Sequence, residues 1–357
     1  MIRHFNLEFV FALLYNMKPD KKEAVLMFDS YARGKMCVLA LGGNSLTLKG
    51  EKGTIQEQER NAAKITKHIF PLITAGFNLV ITHGNGPQVG NLLIQNEMAA
   101  QIVPPMPLDV CVAYSEGSMG YILQQALLNE LRRYNMRNVY VVTMITQVLV
   151  DKDDPAFRNP TKPVGPFLTE EEAKRLAKER NWTVMEDAGR GWRRVVPSPK
   201  PIKIVQRYMI RDLCRQGNIV IALGGGGVPI WKNDKDDYEG IEAVIDKDLA
   251  SALLAVSIHS DIFIILTEVP CVYLNYNKPN QTPLRRVNAT ELRHYYNEGH
   301  FPPGSMGPKI QAVLNFLEEE DALAIITDAE HLEAAMRGEE GTLIRRRWEK
   351  ESGKLLF

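Results

Sequence analysis

"CVLALGGN", residues 37–44, and "NLVITHGNGPQVG", residues 78–90, decide how the rest of the chain is read. In each, an apolar run of strand length stops in glycine and asparagine. "IVIALGGGGVPI", residues 219–230, repeats the arrangement. Three more runs share the pattern: "VYVVTMI" at 139–145, "IFIIL" at 262–266 and "LAIIT" at 323–327. They are continuous rather than alternating and rich in Val and Ile, as in strands buried on both faces of a parallel sheet. Helical stretches lie between them. Residues 118–135 place Leu123, Leu127, Leu131 and Tyr134 on one face. Residues 246–258 open on a capping aspartate, Asp246, and are expected to bury Ile245, Leu249, Leu253 and Val256. Alternating strand and helix implies right-handed crossovers. The expected fold is α/β, a three-layer α/β/α sandwich around a large open, mainly parallel sheet.

At 357 residues the chain buries a sizeable core. Its 43 basic residues balance 43 acidic ones, so no net positive field draws it to nucleic acid or an anionic membrane. Cys37, Cys111, Cys214 and Cys271 are too scattered for a CxxC pair, which suits a reducing, cytoplasmic setting. Residues 1–35 stand apart. Their one apolar run, Phe9 to Leu14, is far short of the ~20 residues a membrane helix needs. They read as a loosely attached extension, or as an organelle presequence. Residues 36–357 form the main domain. Within it, residues 151–200 break the rhythm with Pro, Gly and charge, and are expected to form a small protruding subdomain that acts as a lid.

Ligands of open α/β sheets bind beyond the carboxyl ends of the strands. Glycine there lets backbone amides approach an anion closely, which suits a polyphosphate or an acyl phosphate. Tight turns would use the same residues, although three such loops after three strands are harder to ascribe to turns alone. Neither GxxxxGK[ST] nor GxGxxG is present, so the P-loop and dinucleotide-binding folds are unsupported. HExxH and GxSxG are also absent, and the histidines lack metal-ligand spacing. Three lysines stand in constrained backbone: Lys162 between prolines in "NPTKPVG", Lys247 between aspartates in "VIDKDLA", and Lys309 after glycine and proline in "GSMGPK". Phosphoryl transfer needs positioned positive charge more than covalent catalysis, and lysines held by aspartate supply it.

Together "LALGGN", "HGNGPQVG", "NPTKPVGPF", "EDAGRGWRRVVPSPKP", "AVIDKDLAS" and "GSMGPK" resemble the carbamate kinases of the amino-acid kinase superfamily. The resemblance covers nearly all of the chain after residue 35. It implies a homodimeric enzyme that transfers phosphate reversibly between ATP and carbamate, with Mg2+, running toward ATP in cells. It implies that Gly42, Gly43 and Asn44 contact the phosphate and that Gly84, Asn85 and Gly86 help hold carbamate. Lys162, Lys247 and Lys309 would surround the phosphoryl group, with Asp248 orienting the lysines. The nucleotide would lie against Gly224, Gly225, Thr267, Val269, Tyr273, Tyr276, Met306 and Gly307, and no protein metal ligand is named. Glu116 and Glu268 depart from the residues expected of relatives. Acetylglutamate-type kinases carry a lysine where this chain has Ala40. Two alternatives remain: another acyl-phosphate-forming amino-acid kinase, or a nucleotide-binding regulator without catalysis.

Overall fold

The first strand, β1 (Met36–Leu41), is buried along its whole length. It lies between two parallel neighbours, with Leu39 beside both Ile81 and Ile264. The computed structural model describes residues 32–43, 45–48, 50–180, 182–186, 191–302 and 304–348. Residues 1–31 of the expected extension, Asn44, and Asp187 to Arg190 of the "EDAGRGW" motif lie outside the described residues.

Seven further strands complete the main sheet: β2 (Asn78–His83), β3 (Val141–Thr143), β4 (Ile219–Ile221), β5 (Ile262–Leu266), β6 (Arg286–Asn288), β7 (Leu323–Thr327) and β8 (Thr342–Arg345). Their order is β6-β8-β7-β5-β1-β2-β4-β3. Every pairing is parallel except β7 with β8, so the expected mainly parallel sheet is present. The two strands without a continuous apolar run, β6 and β8, lie at one edge, where short strands with polar residues suffice.

Strand side chains alternate between two cores. Cys37, Leu39 and Leu41 join one cluster with Leu79, Ile81 and Ile264. Val38 and Ala40 join the other with Val80, Phe263 and Ile265. On the first face lie α1 (Ile55–Thr74) and, beyond α2 (Gly86–Ala99), α3 (Leu108–Arg133). The α1 start is fixed by a capping box, in which Thr54 and Glu57 each accept the other's backbone N–H. Leu123, Leu127 and Leu131 of α3 are buried as the spacing predicts, and Tyr134 stacks on Phe70. After α4 (Glu170–Arg180), the second face carries α5 (Arg207–Arg215), α6 (Lys247–Ser257) and, past α7 (Ala289–Asn297), α8 (Met306–Glu319); α9 (Leu332–Met336) returns to the first.

The buried face of α6 differs from the one expected. Ile245 is buried, but Leu249, Leu253 and Val256 are only half-buried, and Ala250, Ser251, Ala252, Leu254 and Ala255 face inward. Small residues let α6 approach the sheet and α8 closely. Ser251 donates to the Lys247 carbonyl at 2.6 Å and sits 2.7 Å from the Thr82 hydroxyl at the end of β2.

The irregular segment leaves and re-enters through a second sheet, where residues 147–149 pair antiparallel with Lys203–Ile204. Between these points, strands Lys162–Leu168, Thr183–Glu186 and Trp192–Val196 form a three-stranded antiparallel sheet beside α4. The strand through Pro163 and Gly165 carried no apolar run to read. Pro163 pairs in register with Val195, and the register shifts between Val164 and Leu168, where Gly165 lies. Among the described residues, no helix is long and apolar enough to cross a membrane.

Candidate active site

β1, β2 and β4 are neighbours, so the loops that follow them open side by side. Backbone fills the junction between the first two. A Cβ on Gly84 would lie 2.6 Å from the Gly43 Cα and 3.2 Å from the Lys247 Cδ. Only glycine permits that approach, and it brings the α6 lysine directly beneath both loops. Asn85, at the start of α2, turns its amide away from the helix and donates to the Ser115 hydroxyl at 2.8 Å. Gly86 and Pro87 then open α2 without a side-chain cap.

The third loop differs from the expected surface of free amides. Gly224, Gly225 and Gly226 are buried, and the N–H groups of Gly224, Gly226 and Gly227 are spent internally. Gly224 donates to Glu116 Oε1 at 2.8 Å, Gly226 to the Leu223 carbonyl and Gly227 to the Gly224 carbonyl. A Cβ on Gly225, whose φ is +67°, would meet the Asn85 side-chain nitrogen at 2.1 Å. The loop is therefore a floor under Asn85, and glycine serves there for closeness and left-handed backbone.

Charge collects at the start of α6. The Asp246 side chain caps the helix, accepting from Asp248 N and Leu249 N. Its other oxygen accepts from Lys162 Nζ at 2.8 Å, so the antiparallel lobe reaches the same helix end. Two residues on, Asp248 Oδ1 accepts from Lys247 Nζ at 2.5 Å and Oδ2 from Lys309 Nζ, at the start of α8, at 3.1 Å. Asp248 is only 3% exposed. Burial alone would raise its pKa, but the Lys247 and Lys309 ammonium groups hold it down at about 2. Burial pushes the Lys247 pKa below the ordinary lysine value, against the pull of Asp248 and with the charge of Lys309 adding to the shift. At neutral pH the carboxylate is ionised and fixes two cations beside the Gly84–Gly43 contact.

The lobe also rests on α2. A Cβ on Gly90 would lie 2.7 Å from the Gly165 Cα, so backbone meets backbone there too. Arg193 holds the Gly165 carbonyl through two nitrogens. Arg180 pairs with Glu97 of α2 at 2.6 Å, and Arg194 approaches the same carboxylate at 4.0 Å.

The remaining sequence-derived residues are placed more loosely. Thr267 follows β5 and donates its N–H to the Thr327 carbonyl at 2.8 Å, with Val269 just beyond. Tyr273 lies on a separate antiparallel hairpin, its ring 6.0 Å from that of Tyr276. Met306 packs against the second core, and Gly307 spends its N–H on the Pro302 carbonyl at 2.8 Å. Gly42 approaches the Leu266 carbonyl, where a Cβ would come to 3.3 Å. Three functional candidates were missed from sequence, Ser115, Thr146 and Glu97, and His83 was read only as the first residue of the second glycine loop. Ser115 had a signal, since "YSEGSMG" interrupts an otherwise apolar helix face.

An open, mainly parallel sheet with glycine loops at its carboxyl edge and lysines converging on one helix start defines a class. The amino acid kinase family profile matches residues 35–328, and the chain belongs to that family. Within it, the chain's place is among the carbamate kinases. The carbamate kinase of Pyrococcus furiosus is 51% identical over 313 residues, covering 87% of this chain and 99% of that protein. That of Trichomonas vaginalis is 46% identical over 86% of this chain and 98% of its own length. The structure of the Giardia lamblia carbamate kinase bound to AMP-PNP superposes with a TM-score of 0.82 at 43% identity, covering 88% of this chain and 99% of that one.

Proposed function

We propose that this protein is a carbamate kinase that works in cells toward ATP, taking the phosphoryl group of carbamoyl phosphate onto magnesium-bound ADP. The carbamate kinase activity rests on close relatives over nearly their whole length. The observation that carries the chemistry is the pair of ammonium groups held on the buried Asp248 carboxylate beneath the first two glycine loops. In the transfer, the bond from phosphorus to the carbamate oxygen breaks while one to the ADP β-phosphate oxygen forms. Negative charge spreads over the three equatorial oxygens and onto the departing carbamate. Lys247 and Lys309 would meet that charge from the main domain, and Lys162 from the lobe. Because Asp248 fixes the ammonium groups beforehand, little reorganisation remains when the charge develops.

Among the described residues, no group of three or more His, Cys, Asp or Glu side chains is arranged to hold a metal. Asp246 and Asp248 are already engaged by lysines. Magnesium enters this reading as part of the nucleotide substrate, held by phosphates and water. A coupled assay supplying ADP, magnesium and carbamoyl phosphate should yield ATP well above the enzyme-free rate. No excess ATP would sink the proposal.

We also propose that the protein is a homodimer in a reducing, cytoplasmic setting. The exposed Tyr114 and Tyr121 of α3 flank Gly117, against which Ile145 packs, and this apolar face supports self-association. The four cysteines are unpaired and buried, which suits a reducing compartment. Equilibrium sedimentation at micromolar concentration should return twice the chain mass, and the single chain mass would dismiss the dimer.

A further inference from the structure

Glu116 is a buried carboxyl that the proposed chemistry does not use. It is 1% exposed, on α3. Its Oε1 accepts from Gly224 N at 2.8 Å and its Oε2 from Thr146 N at 3.1 Å. The Thr146 hydroxyl in turn accepts from Leu223 N at 3.1 Å. Leu223 carries a φ of +53°, a left-handed conformation that costs a side-chain-bearing residue about 1 kcal/mol or more. Glu116 and Thr146 thus pin the chain where it turns out of β4 into the third loop. One residue earlier, the buried Ser115 hydroxyl accepts from Asn85 of the second loop and donates to the Val112 carbonyl at 2.7 Å.

We propose that this single turn of α3 is the positioning device of the active site, with Ser115 setting the second glycine loop and Glu116 setting the third against it. Neither side chain touches the lysines. Each acts through a loop, and the two loops meet where Asn85 lies on Gly225.

The groups facing Glu116 are two backbone amides, the Thr146 hydroxyl and, across Gly224, the imidazole of His83 from β2. A Cβ on Gly224 would lie 2.7 Å from the Glu116 Cγ and 2.6 Å from the His83 Cε1. His83 Nδ1 lies 3.1 Å from the Gly84 carbonyl, which can only accept, so Nδ1 carries the proton. Its Nε2 is buried without a partner among the described residues. Burial, with Lys247 nearby, lowers the His83 pKa to about 4, and it stays neutral through the physiological range. Burial pushes Glu116 the other way, up to about 8, against the pull of the two amides and the Thr146 hydroxyl. The ionised carboxylate accepts both N–H groups fully, whereas the neutral acid turns one oxygen into a hydroxyl and weakens one of them.

This inference rests on the carbamate kinase reading for its assay. The test compares kcat and KM for carbamoyl phosphate from pH 6 to 9 in wild type, Glu116→Gln and Ser115→Ala. With a pKa of about 8, ionisation raises the competent fraction about tenfold between pH 7 and 9. Wild-type kcat should show that limb, and Glu116→Gln should lose it. Ser115→Ala should run lower at every pH and keep the limb. Superimposable profiles for wild type and Glu116→Gln overturn the role of Glu116, and an unchanged Ser115→Ala overturns that of Ser115.

Thermal melting gives a readout independent of turnover. The folded state binds the Glu116 proton more tightly than the unfolded chain, whose carboxyl has the ordinary value of 4.5. That contribution to stability is complete below pH 4.5 and is lost as pH rises through about 8. The Tm of Glu116→Gln should therefore gain on wild type between those values, and a constant gap overturns the assignment. Absence of wild-type turnover at any pH counts against the carbamate kinase reading instead, and the melting curves then decide on Glu116 alone.

Discussion

Replacing Asp248 with asparagine should lower turnover about 10²–10³-fold, the scale seen when a preorganised charge-stabilising group is removed. The loss should be greatest at alkaline pH. Asp248 holds Lys247 and Lys309 on its two oxygens in a buried setting. Asparagine keeps the size and removes the charge. Two ammonium groups then face each other without their counter-ion, and Lys247, whose pKa burial already lowers, sheds its proton more readily. Lowering the pH restores that proton, so residual turnover should climb toward acid.

Stability should move the opposite way. Breaking a buried ion pair costs about 3–5 kcal/mol while the orphaned charge persists. A lysine with a lowered folded-state pKa is destabilised while charged and relieved as pH rises, so the variant should melt closer to wild type in alkali. Opposed pH trends in kcat and Tm identify Asp248 as the keeper of two working cations. Parallel losses at every pH would reduce it to a residue that steadies the α6 start.

Lys162→Ala should also lower kcat about 10²–10³-fold, while ADP affinity stays within a few-fold of wild type. The lysine comes from the antiparallel lobe, yet its ammonium rests on Asp246, at the same helix start as Lys247. Asp246 keeps its bonds to Asp248 N and Leu249 N without Lys162, so truncation spares the cap. The Lys162 side chain is 32% exposed but that of Asp246 only 16%, so losing the pair should cost some stability, limited by the two backbone N–H bonds Asp246 retains. Its contribution should appear where charge builds on the moving phosphoryl group, hence in kcat more than in ground-state binding. Single-turnover kinetics beside calorimetric ADP titration would separate the two. Affinity that falls as far as kcat would mean that the lobe holds nucleotide rather than serving the transfer.

The strands legible in sequence were those buried on both faces. β1, β2, β5 and β7 read as unbroken apolar runs because helices cover both sides of the sheet. β6 and β8 were silent because each has only three or four residues and mixes arginine, threonine or asparagine with one or two apolar side chains. The 219–223 run was read two residues too long, since Leu223 turns left-handed, and nothing in "IVIAL" announces that. The face of α6 was misjudged by following large residues, whereas close packing selected alanine and serine. Asp248 and the three lysines stood out by their spacing to glycine, proline and aspartate. Glu116 drew notice only as a departure from relatives, and its partners are backbone amides far along the chain, which no local pattern encodes.

The seat of Gly165 on Gly90 bears on how the lobe can move. Side chains that interlock must re-sort their rotamers when one body turns against another, and that friction slows and stiffens a hinge. Two glycines present only main-chain atoms, but this pivot is set within an apolar seam, where Val164 and Val196 of the lobe pack with Val89 and Leu93 of α2. A rotation that parts this seam uncovers apolar surface, and so carries a positive heat-capacity change. The Arg180–Glu97 pair and the Lys162–Asp246 pair lie away from that pivot as ionic catches, and added salt should loosen them without disturbing the pivot itself.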